Sequence, residues 1–353
     1  MKKYLGYRII TLTLLVFLAW GAGTTPKVWA QEKSFYKGKT VRIIVCCSPG
    51  GFYDRWARLF SRYLGKYMPG NPDFIVQNMP GAGSLIATNY VNKVAKPDGL
   101  SILMPLGNIY MAQFIGMKEV RFDISKFNWI GTQEKSHMIL YARADAPYKS
   151  IDDILKAKER PKCGSTGTSS AGHIVPKALE AGMGAKIKIV SGYPGGAEVD
   201  VAVERGEINC RGITIPPHFG REPFLTWHKK GFDRHIVVTG EKRDPRAPNT
   251  PTIYELMDKY KTSEVNRRIV RVLTGSGDVG RPFAVAPGVP PDRVKSLREA
   301  YAKALKDPQL LSEAKKGRMD VDPSTGEEMQ ALFKRLMDQP PDVVKAVKKI
   351  MGR

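Results

Sequence analysis

The sequence predicts an α/β protein built from two successive series of strand-turn-helix units. Three observations carry that expectation. Strands and helices alternate in the same order twice along the chain. The first strand, "VRIIV" (41–45), is short and wholly apolar, as a parallel strand covered on both faces must be. Four strand-to-helix junctions are turns of small residues: Ser48-Pro49-Gly50-Gly51, Pro80-Gly81-Ala82-Gly83, 164–172 and Pro194-Gly195-Gly196.

The elements follow in order. Lys2, Lys3 and Arg8 precede an apolar run (9–20) and a small-residue finish ending at Ala30, the three-part pattern of a secretory signal peptide. The apolar run falls short of the roughly 20 residues a membrane span needs; an uncleaved anchor is the alternative. Cleavage after Ala30 leaves 323 residues, a length that suits two domains. After strand 41–45, a helix places Trp56, Leu59, Phe60, Tyr63 and Leu64 on one face. "DFIVQNM" (73–79) is the next strand, a helix runs through Ile86, Tyr90 and Val91, and "LSILM" (100–104) is the third strand.

The second series starts near residue 135. Strand 137–145 leads to a helix capped by Ser150, then strand 161–165, a Gly/Ser loop, a helix, strand 186–193, another helix, and strands 208–215 and 235–240. "EKRDPRAPNTPT" (241–252) is a surface connection by composition, and the tail beyond Pro291 reads as mostly helical. The expected division is a signal peptide at 1–30, a first lobe of 31–134 plus 241–353, and a second lobe of 135–240.

The formal charge is +22, and +18 without the first thirty residues. An exported basic protein favours anionic ligands or the anionic membrane surface. The positive residues are scattered among acids with no basic-aromatic array, which argues against nucleic acid. Cys46, Cys47, Cys163 and Cys210 are expected as buried free thiols, with a Cys163–Cys210 bridge as the alternative. Cys46 and Cys47, as strand neighbours, should point to opposite faces. No CxxC occurs, and His137, His218, His228 and His235 show no metal-ligand spacing, so no metal is expected.

The chemistry lies in the four turns. The first turn of a helix has unpaired backbone donors and partial positive charge, and glycine lets a ligand approach that backbone closely. Four such turns facing one cleft would cradle a carboxylate. Catalysis finds no support. "GAGSLI" lacks the last glycine of a dinucleotide motif, there is no P-loop, and "GTSSA" ends in Ala where a nucleophile elbow has Gly. Neither catalytic residues nor a cofactor are expected.

"SPGGFYDRWARLF" (48–60), "NMPGAGS" (78–84), "KPDGLSILM" (96–104), "GSTGTSSAGH" (164–173), "YPGG" (193–196) and "TGEKRDPRAPNTPTIYEL" (239–256) form an ordered set. By that set the chain resembles the periplasmic solute receptors of tripartite tricarboxylate transporters, the Bug or TctC type. The resemblance implies a two-lobed Venus-flytrap fold of the type II periplasmic-binding-protein class, closing on a small organic carboxylate and handing it to membrane subunits. It nominates Ser48, Gly50, Gly51, Gly81, Ala82, Gly83 and Asn108 in the first lobe. In the second it nominates Thr168, Ser169, Ser170, His173, Tyr193 and Gly195. Two departures stand out. Phe52 and Tyr53 replace a third glycine and a threonine, so Phe52 is either an aromatic wall of the site or a core residue. Arg211 stands near a strand end where the family usually has an acid; it either adds a bidentate anion contact or faces solvent. The expected function is a monomeric periplasmic receptor rather than an enzyme. A sensor for a membrane signalling protein is the alternative, and an exported hydrolase a more distant one.

Overall fold

The computed structural model describes residues 35–193 and 196–352. The expected signal peptide, and Pro194 and Gly195, lie outside the described residues. Among the described residues no helix is long and apolar enough to cross a membrane.

The first series folds as β1 (Thr40–Val45), α1 (Phe52–Tyr67), β2 (Asp73–Asn78), α2 (Leu85–Lys93), β3 (Ser101–Met104) and α3 (Ile109–Phe114), with β1 parallel to both β2 and β3. The apolar run of β1 serves two faces. Val41, Ile43 and Val45 pack with Trp56, Phe60 and Leu64 of α1, while Ile44 joins the core on the other side. The spacing that marks α1 in the sequence is the stripe it buries.

After β4 (Asn128–Thr132) the chain crosses to a second sheet. There β5 (Met138–Arg143), α4 (Ile151–Lys156), β6 (Lys162–Ser165), α5 (Ala171–Met183), β7 (Lys188–Ser191), α6 (Gly196–Glu204) and β8 (Cys210–Thr214) are followed by α7 (Ile215–Gly220), α8 (Phe224–Lys230) and β9 (Asp233–Val238). It returns through α9 (Ile253–Lys259), α10 (Glu264–Thr274), α11 (Ser276–Val279), β10 (Pro282–Val285), α12 (Pro291–Ala304), α13 (Pro308–Lys316), β11 (Ser324–Thr325), α14 (Gly326–Met337) and α15 (Pro341–Ile350).

The sheet orders are β11-β4-β10-β3-β1-β2 and β7-β6-β8-β5-β9. Neither sheet is purely parallel. β10 runs antiparallel to β3 and β4, and β5 antiparallel to β8 and β9. The reason is topological. β5 and β10 are the strands by which the chain enters a sheet from the other one: β10 inserts between the earlier β3 and β4, while β8 and β9 later pair on either side of β5. α12 packs on α1, where Phe60 stacks on Tyr301 with centroids 4.9 Å apart. α10 packs against both α5 and α15, so it bridges the helical layers of the two sheets. The tail helices begin at the caps their sequence announces: Asp307 accepts from the Gln309 amide at 2.8 Å, and Thr325 forms a capping box with Glu328.

Cys163 and Cys210 are disulfide-bonded, which corrects the free-thiol expectation. They are register partners on the adjacent strands β6 and β8, with Cα atoms 4.5 Å apart. Cys46 and Cys47 are free. They lie just beyond the end of β1, where strict alternation no longer holds, and their Sγ atoms meet at 3.2 Å.

Candidate functional site

Three turns of the first sheet and one loop of the second converge. The chain leaves β1 through Gly50, whose φ of +85° suits glycine, and Gly51 caps α1. Tyr53, in the first turn of α1, points inward. Its hydroxyl accepts from the Gly107 amide at 3.1 Å and donates to the Gly280 carbonyl at 3.2 Å. It thereby ties the start of α1 to the turn after β3 and the turn before β10. The second loop holds four consecutive positive φ values, 132°, 45°, 61° and 82° at Gly81, Ala82, Gly83 and Ser84. This coil lets Ser84 Oγ accept from the Leu106 amide at 3.2 Å. Asn108, at the cap of α3, donates through Nδ2 to the Ser169 carbonyl at 2.5 Å, from one sheet's turn to the other's. A Cβ at Gly83 would lie 3.5 Å from Ser169 Oγ, so these two loops also nearly touch.

The junction forms an open cavity of about 150 Å³ lined by Tyr53, Asn108, Ser169, Thr214, Ser276 and Arg281 among others. Arg281 is its one charged wall. The side chain is almost fully buried, with Nη1 donating to Glu134 Oε1 at 2.6 Å and to Ser136 Oγ at 3.1 Å. The guanidinium lies over the rings of Phe52 (5.4 Å) and Tyr53 (5.1 Å). Its Nε has no partner among the described residues. Glu134 also accepts from Trp56 Nε1 at 2.5 Å. Burial raises the Glu134 carboxyl, and the adjacent Arg281 charge works against that rise.

A second cavity, about 180 Å³, lies under the first turn of α5 and shares Ala171 and Thr214 with the first. α5 can sit this low because Gly172 and Gly212 are glycines. A Cβ at either would overlap a backbone carbonyl, that of Gly164 or of Ala171.

The expected site residues divide accordingly. Asn108 and Ser169 line the first cavity, and Ser170 and Arg211 the second. Gly81, Ala82 and Gly83 shape the loop that meets Ser169. Ser48 and Thr168 are exposed turn residues outside both cavities. The Gly50 amide is not free for a ligand; it donates to Asp54 Oδ2 at 2.8 Å. Asp54, held also by Arg58 Nε and Asn78 Nδ2 at 2.9 Å each, puts the chain's own carboxylate in the first cradle. Phe52 is half-buried between Arg55 and Arg281, a packing role more than a free wall. Ser170 Oγ bonds the Gly167 carbonyl and Ser165 Oγ at 2.9 Å each, which holds the loop's shape. His173 is half-buried with neither ring nitrogen partnered, and burial lowers its pKa. Tyr193 packs against Gly164 of β6. Gly195 lies outside the described residues.

Arg211 does not face solvent, and it lines the second cavity. It is buried, and its Nη1 donates to Asp200 Oδ1 and to the Gly196 carbonyl at 2.9 Å, while Arg221 holds Asp200 Oδ2 at 2.9 Å. Desolvation lowers its pKa to about 10, so it stays charged at neutral pH, but that charge is committed to Asp200. The residue the sequence reading missed is Arg281. Its signal, an arginine entering the apolar run "PFAV", lay between the surface connection and the helical tail, in a stretch to which no element was assigned.

A family model described as the tripartite tricarboxylate transporter family receptor matches residues 70–347. Among curated proteins, the UPF0065 protein in the gbd 5′ region of Cupriavidus necator is 26% identical over 306 residues, 82% of each chain. Among solved structures, a TctC solute binding protein from Polaromonas aligns with a TM-score of 0.68 at 22% identity, covering 90% of this chain and 99% of that one. An R. palustris protein with adipate aligns with a TM-score of 0.63 at 21% identity, covering 89% and 97%.

Proposed function

Because the chain belongs to the tripartite tricarboxylate transporter receptor family, a family of solute-binding receptors and not of enzymes, we propose that it captures a small organic carboxylate between two lobes and delivers it to the membrane subunits of such a transporter. The lobes are 31–134 plus 241–353 and 135–240, with α10 laid across both. The first thirty residues direct export and are removed, and the mature protein works as a periplasmic monomer without nucleic acid.

One observation carries the ligand class. Arg281 lines a small cavity between the loops of both sheets with a buried guanidinium, whose Nε has no partner among the described residues. A buried donor without a partner is costly, and a carboxylate oxygen satisfies it through a charge-assisted hydrogen bond. Asn108, Ser169, Thr214 and Ser276 ring the same space with polar groups that suit a second carboxylate or a hydroxyl. At about 150 Å³ the cavity fits an acid of a few carbons, well below the roughly 300–1,000 Å³ of drug-sized sites. The adipate in the R. palustris relative's structure belongs to that class.

The test is calorimetric titration with a panel of aliphatic mono-, di- and tricarboxylates, each beside its neutral amide. One or more acids should bind in one-to-one stoichiometry and the amides should not. A protein that binds none of the acids, or binds amides equally, is not a carboxylate receptor.

A further inference from the structure

Apart from the cleft, three histidines and an aspartate bring their ligand atoms together on the second sheet. His218 comes from α7 and His228 from the last turn of α8. Asp233 and His235 stand two residues apart on β9, hence on one face of the strand. His218 Nε2 is 3.0 Å from His235 Nε2 and 3.2 Å from His228 Nε2. Asp233 Oδ2 is 3.2 Å from the Nε2 of His218, 3.2 Å from that of His228 and 3.4 Å from that of His235. Five edges of a four-cornered figure thus fall between 3.0 and 3.4 Å. A tetrahedral ion with bonds of about 2.0–2.1 Å has ligand-to-ligand edges of roughly 3.3 Å.

Hydrogen bonding alone does not account for this arrangement. A proton on His218 Nε2 can be shared with one neighbouring nitrogen at a time, yet two lie within reach. Asp233 Oδ2 lies within 3.4 Å of all three nitrogens, yet among the described residues it is in well-aligned hydrogen-bond geometry with none, although its side chain is 1% exposed. Lone pairs therefore face one another around a common centre. The ring of His218 is fixed by stacking on Tyr141 at 5.0 Å and by edge contacts with Phe219 at 5.0 Å, so its direction is set by apolar packing.

We propose that His218, His228, Asp233 and His235 form a tetrahedral site for a divalent transition-metal ion of the zinc class. Three neutral imidazoles and one carboxylate suit a borderline-soft cation, and four protein ligands leave no open position, so the ion is structural. It staples α7 and α8 to β9. Its reach extends toward the cleft, because α7 begins after Thr214 of the first cavity and ends at Gly220, where a Cβ would lie 3.5 Å from Phe52 Cζ.

The purified protein, carrying a histidine-free tag and stripped by chelator, is titrated with Zn²⁺ by calorimetry and with Co²⁺ by visible absorption. One equivalent of Zn²⁺ should bind and raise the unfolding temperature, and Co²⁺ should give the intense visible band of a tetrahedral centre, displaced by Zn²⁺. His228→Ala and His235→Ala act on the two more exposed ligands, 22% and 19% for their side chains. Each should weaken binding roughly a hundredfold or more, beyond the 10–100-fold typical of outer-shell partners. If one variant fails to fold, the other decides. No saturable binding, a weak octahedral Co²⁺ spectrum, or unchanged affinity in a folded variant overturns the site. Carboxylate affinity of the metal-loaded protein is a separate readout, so loss of one proposal leaves the other standing.

Discussion

Arg281 and Glu134 allow the ligand role of a buried charge to be separated from its structural role. Arg281→Met alone leaves the Glu134 carboxylate buried without its counter-charge, and only Trp56 Nε1 still bonds it. Stranding one member of a buried pair costs about 3–5 kcal/mol. Glu134→Gln added to it restores neutrality and keeps an oxygen for Trp56, so the double variant should recover most of that loss. The deficit of the single variant has a definite pH sign. Burial raises the Glu134 carboxyl above its ordinary value of 4.5, so the folded state takes up a proton before the unfolded chain does. Stability is then greatest below about 4.5 and falls as pH rises through the folded-state pKa. Urea melts of the single variant should therefore approach those of the double variant on acidification. Ligand binding is read on the double variant, which is neutral and folded. Loss of one charge-assisted hydrogen bond, about 1.5–3 kcal/mol, weakens a carboxylate about ten- to 150-fold by calorimetry. Unchanged affinity in the folded double variant refutes Arg281 as the anion partner. A single variant as stable as the double at neutral pH refutes the buried pair.

Gly172→Ala should disturb the loop before α5 and lower carboxylate affinity at least tenfold, because its Cβ would overlap the Gly164 carbonyl; calorimetry with an unchanged constant would show that the loop shape is irrelevant to binding. Denatured, unreduced protein should show two free thiols, those of Cys46 and Cys47, and four after reduction; four before reduction would exclude the Cys163–Cys210 bond. His173 is neutral in the folded state because burial lowers its pKa below the ordinary 6.5. Its contribution is present above about 6.5 and is lost as pH falls toward the folded-state value, since the unfolded chain binds that proton first. Urea midpoints between pH 8 and 5 should therefore fall more in the wild type than in His173→Gln, and parallel curves would contradict this.

Local signals were enough for the repeating units. The apolar run of β1, the helical stripe from Trp56 to Leu64, and the caps at Ser150, Asp307 and Thr325 act over a few residues, so their order along the chain reveals them. The glycine turns were legible for the same reason, since a positive φ is a demand made by one residue on itself. Strand order and partnership were not. β10 slots between β3 and β4, and that insertion brings Arg281 to Glu134, 147 residues away in sequence. The pairing of β6 with β8 sets Cys163 opposite Cys210. Gly50 looked free until Asp54 folded back onto it, and Arg211 looked free until Asp200 met it from α6. The histidines at 218, 228 and 235 have unequal spacings that match no local motif, and the packing of two helices on β9 makes them neighbours. Charge compensation and ligand convergence depend on which distant atoms share a low-dielectric space, and the chain acquires that only when its crossovers close.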